Sequence, residues 1–390
     1  MKVEPDACAK SIARVWKPRT VLVTVSFVMI TLFLCSLLVS DQYTNINGIW
    51  DGSTLMFVSS SIACRSKRCP RGSEALPRGI VEAASDMELK PLWRSSKKKA
   101  LQKSLLAIAA GIQQKRGVDQ IARKFPVTNF TIMLFHYDGV VDRWSDLPWF
   151  GSAIHIVAIN QTKWWFAKRF MHPDVVSAYE FIFVWDEDLG VDHFRADRYL
   201  EIVRKEGLQI SQPALDPSLS SEVHHRITVR NKKTRVHRRI YMNRGREYCG
   251  NNSTQPPCTG WVEMMAPVFS RSAWRCAWHL IQNDLVHGWG MDMKLGYCAE
   301  GDPTRNVGVV DTQYLIHRGI PSLGGGVIPI KKSSADDHTP PPAAGSGVDA
   351  RKEIRRRAQA EMRLFKKRWT AAVKDDKCWI DPYDRRSRRQ

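Results

Sequence analysis

Several signatures that would settle the chemistry are missing. No Gly-x-Gly-x-x-Gly follows the first strand-like run, where Gly111 stands alone, and this disfavours a dinucleotide-binding dehydrogenase. Neither a Gly-x-Ser-x-Gly elbow nor a Gly-x4-Gly-Lys-Ser/Thr loop occurs, which argues against a serine hydrolase and a P-loop NTPase. No Cys-x-x-Cys pair is present, so a structural zinc site is not expected. Nine cysteines in 390 residues are too few for a disulfide scaffold, though enough for a few bridges. Acidic residues are also short: 39 Asp and Glu face 59 Lys and Arg, giving a formal charge of +20. The 43% of apolar and 25% of charged residues exclude a mostly disordered chain and a multi-span membrane protein.

The positive excess lies largely in flanks. Arg351 to Gln390 carries 15 basic and 6 acidic residues, and Arg65 to Lys103 carries 11 and 4. A nucleic-acid binder sets its cations on a folded face with interleaved aromatics, so no nucleic-acid partner is expected.

What is present begins with a membrane segment. Thr20 to Ser40 holds no charge over 21 positions, enough for roughly 30 Å of helix. Lys2, Lys10, Arg14, Lys17 and Arg19 precede it and Asp41 follows, which puts residues 1–19 in the cytosol and the rest in the lumen. The apolar stretch exceeds the core of a cleaved signal peptide, so it reads as an uncleaved anchor of a single-pass type II membrane protein. Glycosylation sequons occur at Asn129, Asn160, Asn251 and Asn252, of which the Asn251/Asn252 loop is the best placed. Seven cysteines lie beyond the anchor, and Cys249 and Cys258 flank a Gly/Asn/Pro loop that they could close.

Residues 41–90 read as a stem, 91–330 as the ordered domain, 331–350 as a low-complexity linker and 351–390 as a basic helical tail. In the tail, Ile354, Ala358, Met362, Phe365, Trp369 and Val373 recur at three- and four-residue steps, one apolar stripe that packs back on the domain. Within the domain, Ser104 to Ala110, Phe130 to Tyr137, Ala153 to Ile159, Glu180 to Trp185 and Val307 to Ile316 are apolar strand-like runs. Helical faces follow at Val118 to Phe125 and from about Lys163 to Tyr179. Continuously apolar strands alternating with helices predict a mostly parallel, doubly wound α/β sheet covered on both faces.

Ligands of such sheets bind beyond the carboxyl ends of the strands. Asp138, Asn160, Asp186 and Asp188 all fall there. In Asp186-Glu187-Asp188 an extended backbone sends Asp186 and Asp188 one way and Glu187 the other. Two carboxylates facing one way are hard-oxygen ligands for Mn²⁺ or Mg²⁺, and such an ion bridges to a diphosphate. Trp261 and Glu263 precede a further strand-like run and, with Trp289, are candidates for binding a sugar substrate by stacking and hydrogen bonding.

A lumenal anchor and stem, a parallel sheet and a strand-ending Asp-x-Asp together resemble Golgi glycosyltransferases of the GT-A type. From Pro91 to Gly325 the chain also resembles a plant family of uncharacterised proteins labelled lysine-ketoglutarate-reductase trans-splicing-related. That likeness is carried by LLAIAAGI, FTIMLFHYDG, NQTKWWFAKRF, FIFVWDEDLG, ISQPALDP, PPCTGWVEMMAPVFSR, WRCAWHLIQNDLVHGWGMDMKLGYC and VGVVDTQYLIHRGIPSLGG.

The GT-A resemblance implies that Asp186 and Asp188 match the metal-binding pair, with His317 completing the shell. It implies that Asp138 sits near the nucleoside, and that Lys163 or Lys168 meets the phosphates. In Gly288-Trp-Gly-Met-Asp292 a glycine-rich turn delivers a carboxylate, which is either the general base of an inverting transfer or a helix cap. The expectation is therefore a Golgi glycosyltransferase that uses Mn²⁺ or Mg²⁺ and a UDP-linked sugar to modify a glycan. The alternatives are a non-catalytic carbohydrate-binding protein on the same fold, or a metal-dependent phosphoester hydrolase.

Overall fold

A computed structural model of the chain describes residues 70–82, 103–240, 249–320 and 346–383, which belong to one compact unit, Cys69–Gln390. The anchor segment Thr20 to Ser40 and most of the expected stem, residues 41–69 and 83–90, lie outside the described residues. Among those described, no helix is long and apolar enough to cross a membrane.

In chain order the elements are α1 (Arg78–Glu82), β1 (Ser104–Ala110), α2 (Lys115–Ala122), β2 (Phe130–His136), β3 (Ile154–Val157), α3 (Lys163–Phe170), β4 (Phe181–Trp185) and β5 (Leu189–Gly190). They continue as α4 (Ala196–Lys205), β6 (Ile210–Leu215), β7 (Val236–His237), β8 (Val268–Ser270), α5 (Arg271–Leu280), α6 (Asp292–Leu295), α7 (Pro303–Asn306), β9 (Val307–His317) and α8 (Ser346–Asp375).

The sheet has nine strands in the order β3-β2-β1-β4-β8-β6-β9-β5, with β7 also on β9. β1 pairs in parallel with β2 and β4, β2 with β3, and β6 with β9. β8 is antiparallel to both β4 and β6, so it is a reversed strand inside an otherwise parallel core. The α/β class and mainly parallel sheet expected from the sequence are present.

Alternation along each strand explains the two covered faces. Leu105, Ala107, Phe135, Ile182 and Val184 pack with Trp164 and Phe166 of α3 and with Trp274 and Trp278 of α5. Their neighbours Leu106, Ile108, Leu134, Phe183 and Trp185 pack with Val118 and Ile121 of α2 and with Tyr199 and Val203 of α4. Phe125 lies edge-on to Phe130, Phe183 and Trp185 with ring centroids 5.0 to 5.3 Å apart. Truncating such a ring to alanine costs about 3–5 kcal/mol.

Three local expectations change. α3 stops at Phe170 rather than Tyr179 because Pro173 disfavours helical backbone at His172. The folded unit starts before residue 91: Leu76, Ile80 and Val81 around α1 are buried in the core. α8 starts at Ser346, inside the stretch expected to be linker. Its apolar stripe docks through Ala358, Phe365 and Trp369, joined by Ala372, with Tyr297 against Trp369, while Ile354, expected to begin the stripe, is exposed. Cys249–Cys258 is bridged as its loop suggested, and Cys276–Cys298 joins α5 to the turn after α6.

Candidate functional site

All parallel strands deliver their last residues to one edge, and the reversed β8 sends the segment before it there too. The main chain shows this directly: the Val184 and Asp186 N–H groups donate to Pro267 O (3.1 Å) and Met265 O (2.9 Å). Residues 263–267 therefore run beside the end of β4.

Glu187 and Asp138 tie the neighbouring strand ends together. Glu187 accepts from Gly111 N (2.8 Å) and Tyr137 Oη (2.5 Å), which joins β4 to the ends of β1 and β2. Gly111 is required there, since a Cβ would collide with the Tyr137 ring. Burial pushes Glu187 up to about 7, against the pull of these two donors. Asp138 accepts from Ile112 N (2.6 Å) and Val140 N (3.0 Å), so both its oxygens hold loops in place.

Asp186 and Asp188 have partners other than those of Glu187, although the strand ends at Trp185 and the backbone bends at Glu187 and Asp188 instead of running on extended. Lys163, the first residue of α3, donates to Asp186 Oδ1 (2.5 Å) and to Met264 O (2.6 Å). Asp186 keeps 42% of its side-chain surface accessible, yet desolvation raises its carboxyl despite Lys163. Its side chain is thus partly accessible while neighbouring protein crowds its solvation shell. Asp188 Oδ2 accepts from Ile320 N (3.1 Å) and stands 3.3 Å from His317 Nε2. The other ring nitrogen of His317 faces Glu222 O at 3.0 Å. Acceptors at both nitrogens favour the doubly protonated ring, and the Asp188 hydrogen bond is the main reason its pKa rises to about 9.

Two further carboxylates complete the cluster. Glu263 is 7% exposed, and its Oε2 is buried without a hydrogen-bond partner among the described residues. Its N–H donates to Gln212 Oε1 (2.5 Å), which fixes the backbone. Burial pushes its carboxyl up to about 7; Asp186 and Asp292 add to this, while His317 and Lys163 oppose it. Asp292 opens α6 after Gly288 and Gly290, both at positive φ. Burial raises its carboxyl, main-chain N–H groups of Met293 and Gly290 partly offset this, and Oδ1 is left without a partner. It is thus both a main-chain anchor and a carboxylate with spare capacity.

The expected residues do not all converge. Asp186, Asp188, His317, Lys163, Glu263 and Asp292 act on one another's charge, whereas Asp138 is taken up by the Ile112 and Val140 main chain. Lys168 does not join them: it is buried, donates to Trp278 O (3.1 Å) and lies 3.5 Å over that ring. Trp261 is 1% exposed, packed with Ala214, Ile227 and Val309, so its ring offers no face to a sugar. Trp289 remains 43% exposed on the loop before Asp292. Sequence reasoning missed the anchoring by Glu187 and the contact of His224 with His317, whose rings are 5.8 Å apart.

Four carboxylates share this cleft with Lys163 and His317, which suits a cationic or proton-bearing ligand chemically. Among the described residues no group of three or more His, Cys, Asp or Glu is arranged to hold a metal ion. Both carboxylates have a partner instead: Lys163 engages Asp186, and His317 engages Asp188. A concavity of about 780 Å³ opens at the opposite edge beside Glu180, Gln209 and Arg271, where strands begin. It lacks a comparable cluster.

A family model described as a protein of unknown function (DUF707) matches residues 67–375. No curated protein matches the chain.

Proposed function

We propose that this chain, which belongs to the DUF707 family, is a metal-dependent glycosyltransferase that moves a sugar from a nucleotide sugar to a glycan. One observation carries the reading: Asp186 and Asp188, at the end of β4, share a cleft with His317 at the end of β9 and with Glu263 and Asp292. The GT-A resemblance supports it, as does the mainly parallel sheet. Asp186 and Asp188, with His317, are not arranged as a metal shell in their present ion pairs; they would have to exchange those partners to hold Mn²⁺ or Mg²⁺, which would supply charge neutralisation to a departing diphosphate.

The chain's own residues do the rest. Lys163, if freed from Asp186, would be the cation available to the same diphosphate. His317 must lose its proton to ligate a metal, which makes binding weaken as pH falls. Glu263 and Asp292 carry the unpartnered oxygens, so one of them takes the proton of the attacking acceptor hydroxyl. Trp289 offers the accessible aromatic face. Anchorage through Thr20 to Ser40, with this domain in the Golgi lumen, belongs to the same proposal.

The runner-up is a carbohydrate-binding protein without turnover. Its support is the Lys163–Asp186 ion pair, which satisfies that carboxylate with no metal at all. Titration of the purified full-length chain with UDP, GDP and their sugars, with and without Mn²⁺, separates the two. Metal-dependent nucleotide binding that disappears in Asp186→Asn is the expected result. A folded protein that binds a glycan but no nucleotide would overturn the transferase.

A further inference from the structure

The two flanks of α8 are not alike. On one, charges are paired: Glu361 with His287 (2.8 Å) and Arg368 with Asp284 (2.6 Å). On the other, Arg355, Gln359, Met362 and Lys366 follow at helical spacing and so line one edge. Arg355 and Lys366 are exposed, as are Lys352 and Arg363 in the adjacent row. None of these four is ion-paired to a carboxylate among the described residues.

That edge faces the carboxylate cleft. Gly290, in the turn delivering Asp292, packs under Met362 and Phe365. Lys366 acts on the charge of Asp292, and Arg355 on that of His224, which stands beside His317. The cation row thus borders the cleft over roughly 16 Å, eleven residues of helix rise, which is too long for one diphosphate. Trp289, accessible on the same loop, adds a surface on which a sugar ring can stack. A row of unpaired cations beside a stacking aromatic fits a polymer that carries both negative charge and sugar rings.

We propose that the cleft-facing edge of α8, formed by Arg355 and Lys366 and backed by Lys352 and Arg363, binds an acidic polysaccharide bearing carboxylates or sulfates and presents it to the cleft beside Asp292. The polysaccharide's role as acceptor rests on the transferase reading; its binding does not.

The test uses the full-length chain in uncharged detergent, without nucleotide or metal. The probes are labelled oligogalacturonate for carboxylates, heparin fragments for sulfates, and dextran as the neutral control. Binding to one or both acidic probes and not to dextran is expected, and the responding probe names the anion. Arg355→Glu/Arg363→Glu/Lys366→Glu should weaken that binding roughly tenfold or more, with a shallower salt dependence. Lys232→Glu/Lys233→Glu/Arg235→Glu makes the same charge change on three exposed residues of another loop and should weaken it less than about threefold. Equal losses in the two triples would reduce the effect to net charge and overturn the proposal. So would failure of the wild type to bind either acidic probe, or binding to phosphatidylserine vesicles without either polysaccharide. Nucleotide titration of the same preparations reports separately on the transferase.

Discussion

Strand β9 takes part in two carboxylate–imidazole pairs, and they differ in what they leave over. Asp311 lies where β9 and β6 lose register after Pro213, so its side chain reaches a neighbouring loop instead of a regular ladder neighbour. It is 1% exposed and accepts from Asn231 N (2.7 Å), Thr234 Oγ1 (2.7 Å) and His237 Nδ1 (2.9 Å). The far nitrogen of His237 meets Ile227 O at 2.6 Å. Burial alone would lower His237, but the Asp311 hydrogen bond and charge hold it above its ordinary value. Every polar atom of that pair faces a partner, and its effect is to pin the 227–237 loop. Asp188 and His317, six residues farther along β9, form the same kind of pair at the open end of the sheet. There Asp186 and Glu263 crowd in with charge not fully compensated. An Asp–His contact is therefore no mark of function; unspent capacity around it is.

The largest effect expected from this contrast is on stability. Asp311→Ala should destabilise the fold by about 3–5 kcal/mol, because it breaks a carboxylate–imidazole pair that is almost wholly buried. A urea midpoint measured at constant slope reads this out. Next comes Asp188→Asn, which should leave the urea midpoint nearly unchanged and weaken metal-dependent nucleotide binding on the order of a hundredfold, at least what outer-shell partners of a metal contribute. If Asp188→Asn unfolds the protein as severely as Asp311→Ala does, both pairs are structural and the contrast fails.

How much of this was legible depends on the range of the interactions. β1, β2, β4 and β9 stand out as apolar runs because both faces of a parallel strand are buried, and their ends placed Asp138, Asp186, Asp188 and His317 at one edge. β8 is three residues long, and its reversal between β4 and β6 is set by distant pairing, so nothing local announced it. With it went the role of Glu263, which reaches the cleft only because β8 runs backwards. Lys163 read as a phosphate ligand and is found on Asp186; helical spacing alone could not separate it from Lys168, five residues on, which turns into the core. Trp261 shows the converse error, since a sequence gives aromatic character but not exposure.

Glu263 offers the smallest and most discriminating test, because it is the reverse of Asp311: a carboxylate whose burial is not repaid by hydrogen bonds. Its folded pKa, pushed up to about 7 by burial, lies above the ordinary glutamate value of 4.5. The folded state therefore holds a proton that the unfolded state releases between those pH values. By linkage the contribution of this group falls as pH rises from 4.5 through 7, and the deficit is complete above 7. Such a shift corresponds to roughly 2–3 kcal/mol for a group so little exposed. Glu263→Gln removes the titration, so in chelator the variant should match the wild type near pH 4.5 and exceed it by about 2 kcal/mol at pH 8. Asp311→Ala, in contrast, should be destabilised at pH 8, because it loses the hydrogen bonds from Asn231, Thr234 and His237. Parallel pH profiles for wild type and Glu263→Gln would mean that a cation within the cleft already compensates Glu263. The unspent capacity would then be confined to Asp186 and Asp292.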